Sequence, residues 1–166
     1  MPRLAVGGEG DAVAVPTLYE WAGGSAALER LTERFYLKVK ADPLLEPLFA
    51  AMPADHPQHV AMWLGEVFRG PAAYSTELGG YTRMMRHHLD KHIRPEQRTR
   101  WVALLAETAD EVGLPDDPEF RSAFVAYLEW GSRIALANSQ PGATPPETAP
   151  MPHWGWGEAP PYQPGS

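Results

Sequence analysis

The sequence predicts an all-α fold, and three observations carry that prediction. Apolar residues recur at three- and four-residue spacings through most of the chain. No segment alternates apolar with polar at the period of two that a half-buried strand requires. The breaks between periodic stretches hold Thr, Asp, Pro and Gly where helices start and stop.

Taken in order, Thr17 followed by Glu20 forms a capping-box pattern that opens a short first helix, stopped by Gly23-Gly24. Ser25 is expected to cap a longer helix with Leu28, Leu31, Phe35 and Val39 along one side, ending near Asp42-Pro43. Another begins around His56 and runs to Arg69-Gly70-Pro71, and a shorter one follows Gly79-Gly80. Pro95 suits the first residue of a fifth helix, which ends at Gly113. Asp117-Pro118 starts the last, whose inner stripe is Phe120, Phe124, Tyr127, Leu128, Gly131, Ile134 and Ala135. Residues 1–15 read as a flexible arm, 16–140 as one helical domain, and 141–166 as a Pro/Gly-rich tail that cannot sustain helix or central strand. Trp154, Trp156 and Tyr162 in that tail leave two outcomes open, docking on the domain or a mobile extension.

Composition narrows the function. A net charge of −7 argues against nucleic acid or an anionic membrane surface as partner. With no cysteine, disulfides, thiolate metal sites, iron–sulfur clusters and a cysteine nucleophile are excluded, which leaves histidine as the strong nitrogen ligand. No apolar run approaches the roughly 18 residues of a membrane span. The N-terminus lacks the basic-then-apolar order of a secretion signal, so a cytoplasmic location is expected.

The placement of the histidines carries more than their number. His56, His59, Val60, Trp63, Leu64, Val67 and Phe68 fall on one helical face, so two histidines continue an otherwise apolar stripe. In the next histidine helix, Tyr81, Met84, Met85, His88 and Leu89 share a face, while His87 is turned about 100° away toward Arg83, Asp90 and Lys91. Periodicity therefore selects His88 as the inward histidine, in apolar surroundings that favour the neutral imidazole a metal needs. On spacing alone, a core histidine bonded to a carbonyl is the more economical reading. Trp101 falls with Leu104, Leu105, Thr108 and Val112 on the inner face of the fifth helix, and Tyr36 follows Phe35 on the second. Core packing accounts for either residue taken singly.

Several features in register resemble the truncated haemoglobins, specifically their second group. Thr17-Leu18-Tyr19-Glu20 precedes the Gly23-Gly24 pair, and Arg34-Phe35-Tyr36 is followed by Asp42-Pro43 and Phe49. Trp63-Leu64 leads to Arg69-Gly70-Pro71 and Tyr74-Ser75, Gly79-Gly80-Tyr81 runs into His88-Leu89, and Trp101 lies thirteen residues after His88. The resemblance spans roughly residues 17–139. It implies a two-over-two helical sandwich around haem b, with His88 as the proximal iron ligand. Tyr36 and Trp101 match the distal tyrosine and tryptophan, Phe49 the aromatic that wedges the porphyrin, and His56 the gate position with Val60 one turn further in. His59 matches a position near a haem propionate; Trp63, Tyr81 and Met84 are expected to line the same pocket.

This chain departs from the pattern at three places. An ungapped count from Tyr74 points to His87, whereas a count back from Ile93 and Trp101 points to His88; one inserted residue around Leu78-Gly79 reconciles them. The gate position is often small in this group, so His56 adds a third donor. Arg94 sits where Ser, Thr or Asp would cap the fifth helix better by about 1 kcal/mol.

The resemblance implies binding of O₂, and of NO and CO. Dioxygen on ferrous haem carries partial negative charge, and a hydrogen bond to a charged group is worth about 1.5–3 kcal/mol. Tyr36, Trp101 and His56 acting together predict tight O₂ binding with slow release, which suits redox chemistry better than bulk oxygen transport. Conversion of nitric oxide to nitrate with an unidentified reductase is the leading expectation, with peroxide chemistry behind it because no carboxylate partner for His88 is identifiable. A homodimer is carried as a candidate assembly, and the tail is expected to be dispensable for haem binding. Two other classes compete: a non-haem metal protein using His56, His59, His88 and His92, and a helical interaction module in which the histidines only pack.

Overall fold

A computed structural model describes residues 14–157, and its only regular secondary structure is helical. The helices are α1 (Leu18–Ala22), α2 (Gly24–Ala41), α3 (Glu46–Phe49), α4 (His56–Val67), α5 (Ala73–Leu78), α6 (Gly80–His87), α7 (Pro95–Glu111) and α8 (Pro118–Asn138). The long helices pack as two pairs, α2 with α4 and α7 with α8, and α2 also meets α7. This is the two-over-two sandwich. Residues 1–13 of the arm, and residues 158–166 of the tail with Tyr162, lie outside the described residues.

Local chemistry starts these helices largely as the sequence predicts. The Thr17 hydroxyl accepts from the Glu20 amide at 3.1 Å, and the Asp117 carboxylate accepts from the Phe120 amide at 3.0 Å. The start of α2 differs from expectation: Gly23, at φ 108°, both ends α1 and precedes α2, and Ser25 lies inside the first turn rather than capping it. Packing makes up the difference. Leu28, Leu31, Phe35 and Val39 are fully buried, and each contributes roughly 1.5–3 kcal/mol, more than the ~1 kcal/mol a serine cap adds. Arg94 offers no cap side chain, but the Gln97 side-chain oxygen accepts from the Arg94 amide at 2.9 Å, so that helix start is satisfied from inside.

The helix beginning at His56 stops at Val67, because Arg69 turns to φ 69° and the Gly70 amide donates to the Gly65 carbonyl at 2.8 Å. Tyr19 lies across this corner. A Cβ on Gly70 would stand 2.6 Å from its ring, so only glycine fits there. Two short helices, α3 and α5, have no counterpart in the sequence reading.

From Pro141 onward the chain is irregular, but it lies on the domain. The Thr82 hydroxyl donates to the Glu147 carbonyl at 3.4 Å, and the Trp154 amide to the Val67 carbonyl at 2.7 Å. The Trp156 indole donates to the Pro16 carbonyl at 2.7 Å. Of the two outcomes open for these tryptophans, docking is the one observed.

Candidate functional site

A cavity of about 500 Å³ opens between α4, α6, α7 and α8, within the range of about 300–1,000 Å³ typical of small-molecule and cofactor sites. Its wall brings together all ten residues singled out in the sequence: Tyr36, Phe49, His56, His59, Val60, Trp63, Tyr81, Met84, His88 and Trp101.

His88 caps α6 with right-handed helical backbone angles (φ −93°, ψ −11°), so helical phase carries it onto the face of Met84 and Met85. The Met84 carbonyl, one turn back, lies close enough to the His88 ring to favour the protonated form. Burial pushes His88 down to about 4; the Met84 carbonyl opposes this, and the charges of His87 and Lys91 reinforce it. The imidazole is therefore neutral at pH 7. A neutral imidazole with one nitrogen near a carbonyl can offer the other as a ligand.

Tyr36, His56 and Trp101 form a second polar group in the cavity. The Tyr36 hydroxyl lies 3.2 Å from His56 Nε2, and the Trp101 side chain is close enough to the same hydroxyl to favour its ionised form slightly. Burial raises the Tyr36 pKa well above its ordinary value, so the hydroxyl keeps its proton. Burial also pushes His56 down to about 4, with His87, His59 and His88 adding to the effect and Asp55 opposing it. A neutral His56 can accept the hydrogen bond of the Tyr36 hydroxyl through Nε2, which leaves lone pairs on the Tyr36 oxygen for a further donor in the cavity. The aromatic packing is edge-on: the rings of Phe35, Phe49 and His56 stand 4.9, 5.5 and 4.9 Å from Tyr36, and Phe35 in turn meets Trp101 at 5.6 Å. These contacts hold the hydroxyl in place.

Trp63 stacks on Tyr81 at 5.8 Å and donates its indole N–H to Tyr127 at 2.5 Å. Sequence reasoning placed Tyr127 only in the core stripe of α8; here it also lines the cavity. Arg83, His87 and Lys91, assigned to the wet face of α6, are exposed and also border the cavity, with Arg83 Nε 3.3 Å from His87 Nε2. Their four-residue spacing was the available signal for a basic rim. His59 pairs with Asp55 at 3.3 Å. His92 is exposed in the loop after α6 at φ 52°. The helix ends before it, so the one-turn spacing from His88 does not form. Among the described residues, no three His, Asp or Glu side chains are grouped to share an ion.

The site fits haem by its own chemistry: a neutral, oriented imidazole in apolar surroundings, aromatic walls, and basic side chains at the border suited to carboxylates. The model of the bacterial-like globin family matches residues 17–130. The group 2 truncated haemoglobin YjbI of Bacillus subtilis is 29% identical over 110 residues, covering 66% of this chain and 81% of that protein. The crystal structure of a haemoglobin from the phototroph Chloroflexus aurantiacus superposes with a TM-score of 0.65 at 32% identity, covering 73% of this chain and 98% of that one. A truncated oxygen-avid haemoglobin from Bacillus subtilis gives 0.65 at 26% identity, covering 73% and 99%. The chain belongs to the bacterial-like globin family, a family of haem-based gas binders, and group II truncated haemoglobins are among its relatives.

Proposed function

We propose that the chain would hold haem b through His88 and bind O₂ tightly beside Tyr36, His56 and Trp101, in the service of redox chemistry such as conversion of nitric oxide to nitrate. The observation that carries this reading is a neutral imidazole and the Tyr36–His56 pair, with Trp101 beside it, lining one cavity. Bound haem supplies an iron centre that takes a diatomic gas (O₂, NO or CO) and polarises it. Tyr36, Trp101 and His56 then offer donors to the charge on that gas, at about 1.5–3 kcal/mol per bond to a charged group. Because Tyr36 and His56 already meet at 3.2 Å, an incoming ligand redistributes that bond. Met84, Val60, Trp63 and Tyr81 give the cofactor an apolar lining, Phe49 wedges it, and His59, Arg83, His87 and Lys91 can meet its carboxylates.

Joining one O₂ to one NO gives nitrate and consumes one electron per turnover, which a reductase must supply. Slow gas release keeps O₂ in place until nitric oxide arrives, and bulk transport would want the reverse. A cytoplasmic setting suits this chemistry, and no described helix is long and apolar enough to cross a membrane. The test is an absorption spectrum of the purified protein followed by stopped-flow mixing of its oxygenated form with nitric oxide. An intense violet band and rapid, stoichiometric nitrate support the reading. No such band refutes haem; a band without nitrate refutes the reaction.

A further inference from the structure

We propose that Trp154 is a positioning residue for the cavity wall facing α6, so that residues 141–157 form a functional strap of the cofactor pocket; this rests on the haem reading above. The strap lies beyond the residues the family model matches, which end at 130.

Trp154 is fixed first by its backbone. Its amide donates to the Val67 carbonyl at 2.7 Å, one of the helix-end carbonyls that α4 leaves without an internal partner. The indole then meets Tyr127 edge-on at 5.7 Å and Trp130 at 5.7 Å. Tyr127 accepts from the Trp63 indole, and Trp63 stacks on Tyr81 of α6 at 5.8 Å with 27° between the rings. Trp63, Tyr81, Tyr127 and Trp130 all line the cavity. One unbroken path therefore runs from the strap to the helix that leads into His88. Close-packed aromatic rings do not deform continuously, so moving Trp154 moves the wall. Trp156 makes a separate anchor: it bonds to Pro16 and packs on Trp21 at 5.9 Å and Phe120 at 6.4 Å.

The experiment uses the full-length haem-loaded protein and the variants Trp154→Ala, Trp154→Phe, Trp156→Ala and Tyr127→Phe. Three quantities are read: melting temperature, the rate of haem transfer to excess apomyoglobin, and the iron–histidine stretching band of the ferrous protein by resonance Raman. Both alanine variants should melt lower. Trp154→Ala should in addition shift the stretching band and speed haem loss several-fold, with Trp154→Phe restoring most of both. Trp156→Ala should leave the band in place. A band unmoved by Trp154→Ala, or moved equally by Trp156→Ala, overturns the proposal. Tyr127→Phe interrupts the same path without touching the strap, so an unmoved band there overturns it even if Trp154→Ala fails to fold. Wild-type protein without haem would instead overturn the haem reading itself.

Discussion

Replacing Tyr36 by Phe removes one oxygen atom that sits at the junction of the distal network. In the wild type that atom lies 3.2 Å from His56 Nε2 and near Trp101, and the residue is 3% exposed. Two effects follow, with different readouts. The gas-free protein loses the partner of His56, which is only part-buried, so its stability should fall by no more than the roughly 1–3 kcal/mol of a buried polar group left unpaired. The gas-bound protein loses a donor to the polarised ligand. At about 1.5–3 kcal/mol for that bond, and 1.4 kcal/mol per factor of ten, O₂ dissociation should quicken by about ten- to a hundred-fold. Trp101→Phe should quicken it as well, and the double variant should fall short of the product of the two, because both donors act on the same bound gas. Stopped-flow displacement of O₂ by excess CO measures all three rates. Unchanged dissociation in both single variants would refute the donor network as the source of tight binding.

His88→Ala should give protein that retains no haem through purification, while His87→Ala should retain it; the reverse pattern in the violet absorption band would transfer the ligand to His87. In the haem-free protein, His56 and His88 are held at about 4 against an ordinary value of 6.5, so the folded state binds fewer protons between those values. Stability should therefore rise with pH from about 4 to about 6.5 and flatten above, as far as these two groups decide it, and melting curves across that window test the sign. Gly70→Ala forces a methyl group against the Tyr19 ring and should cost about 1–3 kcal/mol, the usual range for overpacking; urea unfolding that matches the wild type would show that Tyr19 can move aside.

Much of the site was legible because helical phase is a strong constraint. It separates His88 from His87, which are adjacent in sequence and a third of a turn apart, and it puts His56 and Trp101 on inward faces. The gaps arise where phase has nothing to act on. Helices α3 and α5, of four and six residues, are too short to show a period. Arg83 and Lys91 lie on the flank between wet and dry faces, where a basic border looks the same as a solvated one. In the tail, prolines and glycines exclude regular structure, but they do not say whether irregular chain packs. Trp154 and Trp156 do pack, through indole and backbone contacts that no periodicity encodes.

The two ends of the described chain share one landing place. The Tyr19 amide donates to the Phe68 carbonyl at 3.0 Å, and the Trp154 amide donates to the Val67 carbonyl, the neighbouring peptide. A five-residue helix such as α1 is far below the roughly 12–15 residues at which an isolated helix becomes even marginal in water, so its persistence depends on what it leans against. With Trp156 bonded to Pro16, fraying at either terminus exposes the other. The amides of Tyr19 and Trp154, some 135 positions apart in sequence, should then exchange with solvent deuterium as one cooperative opening unit, with a single free energy and a common response to denaturant. Independent exchange at the two amides would mean that the ends unzip separately.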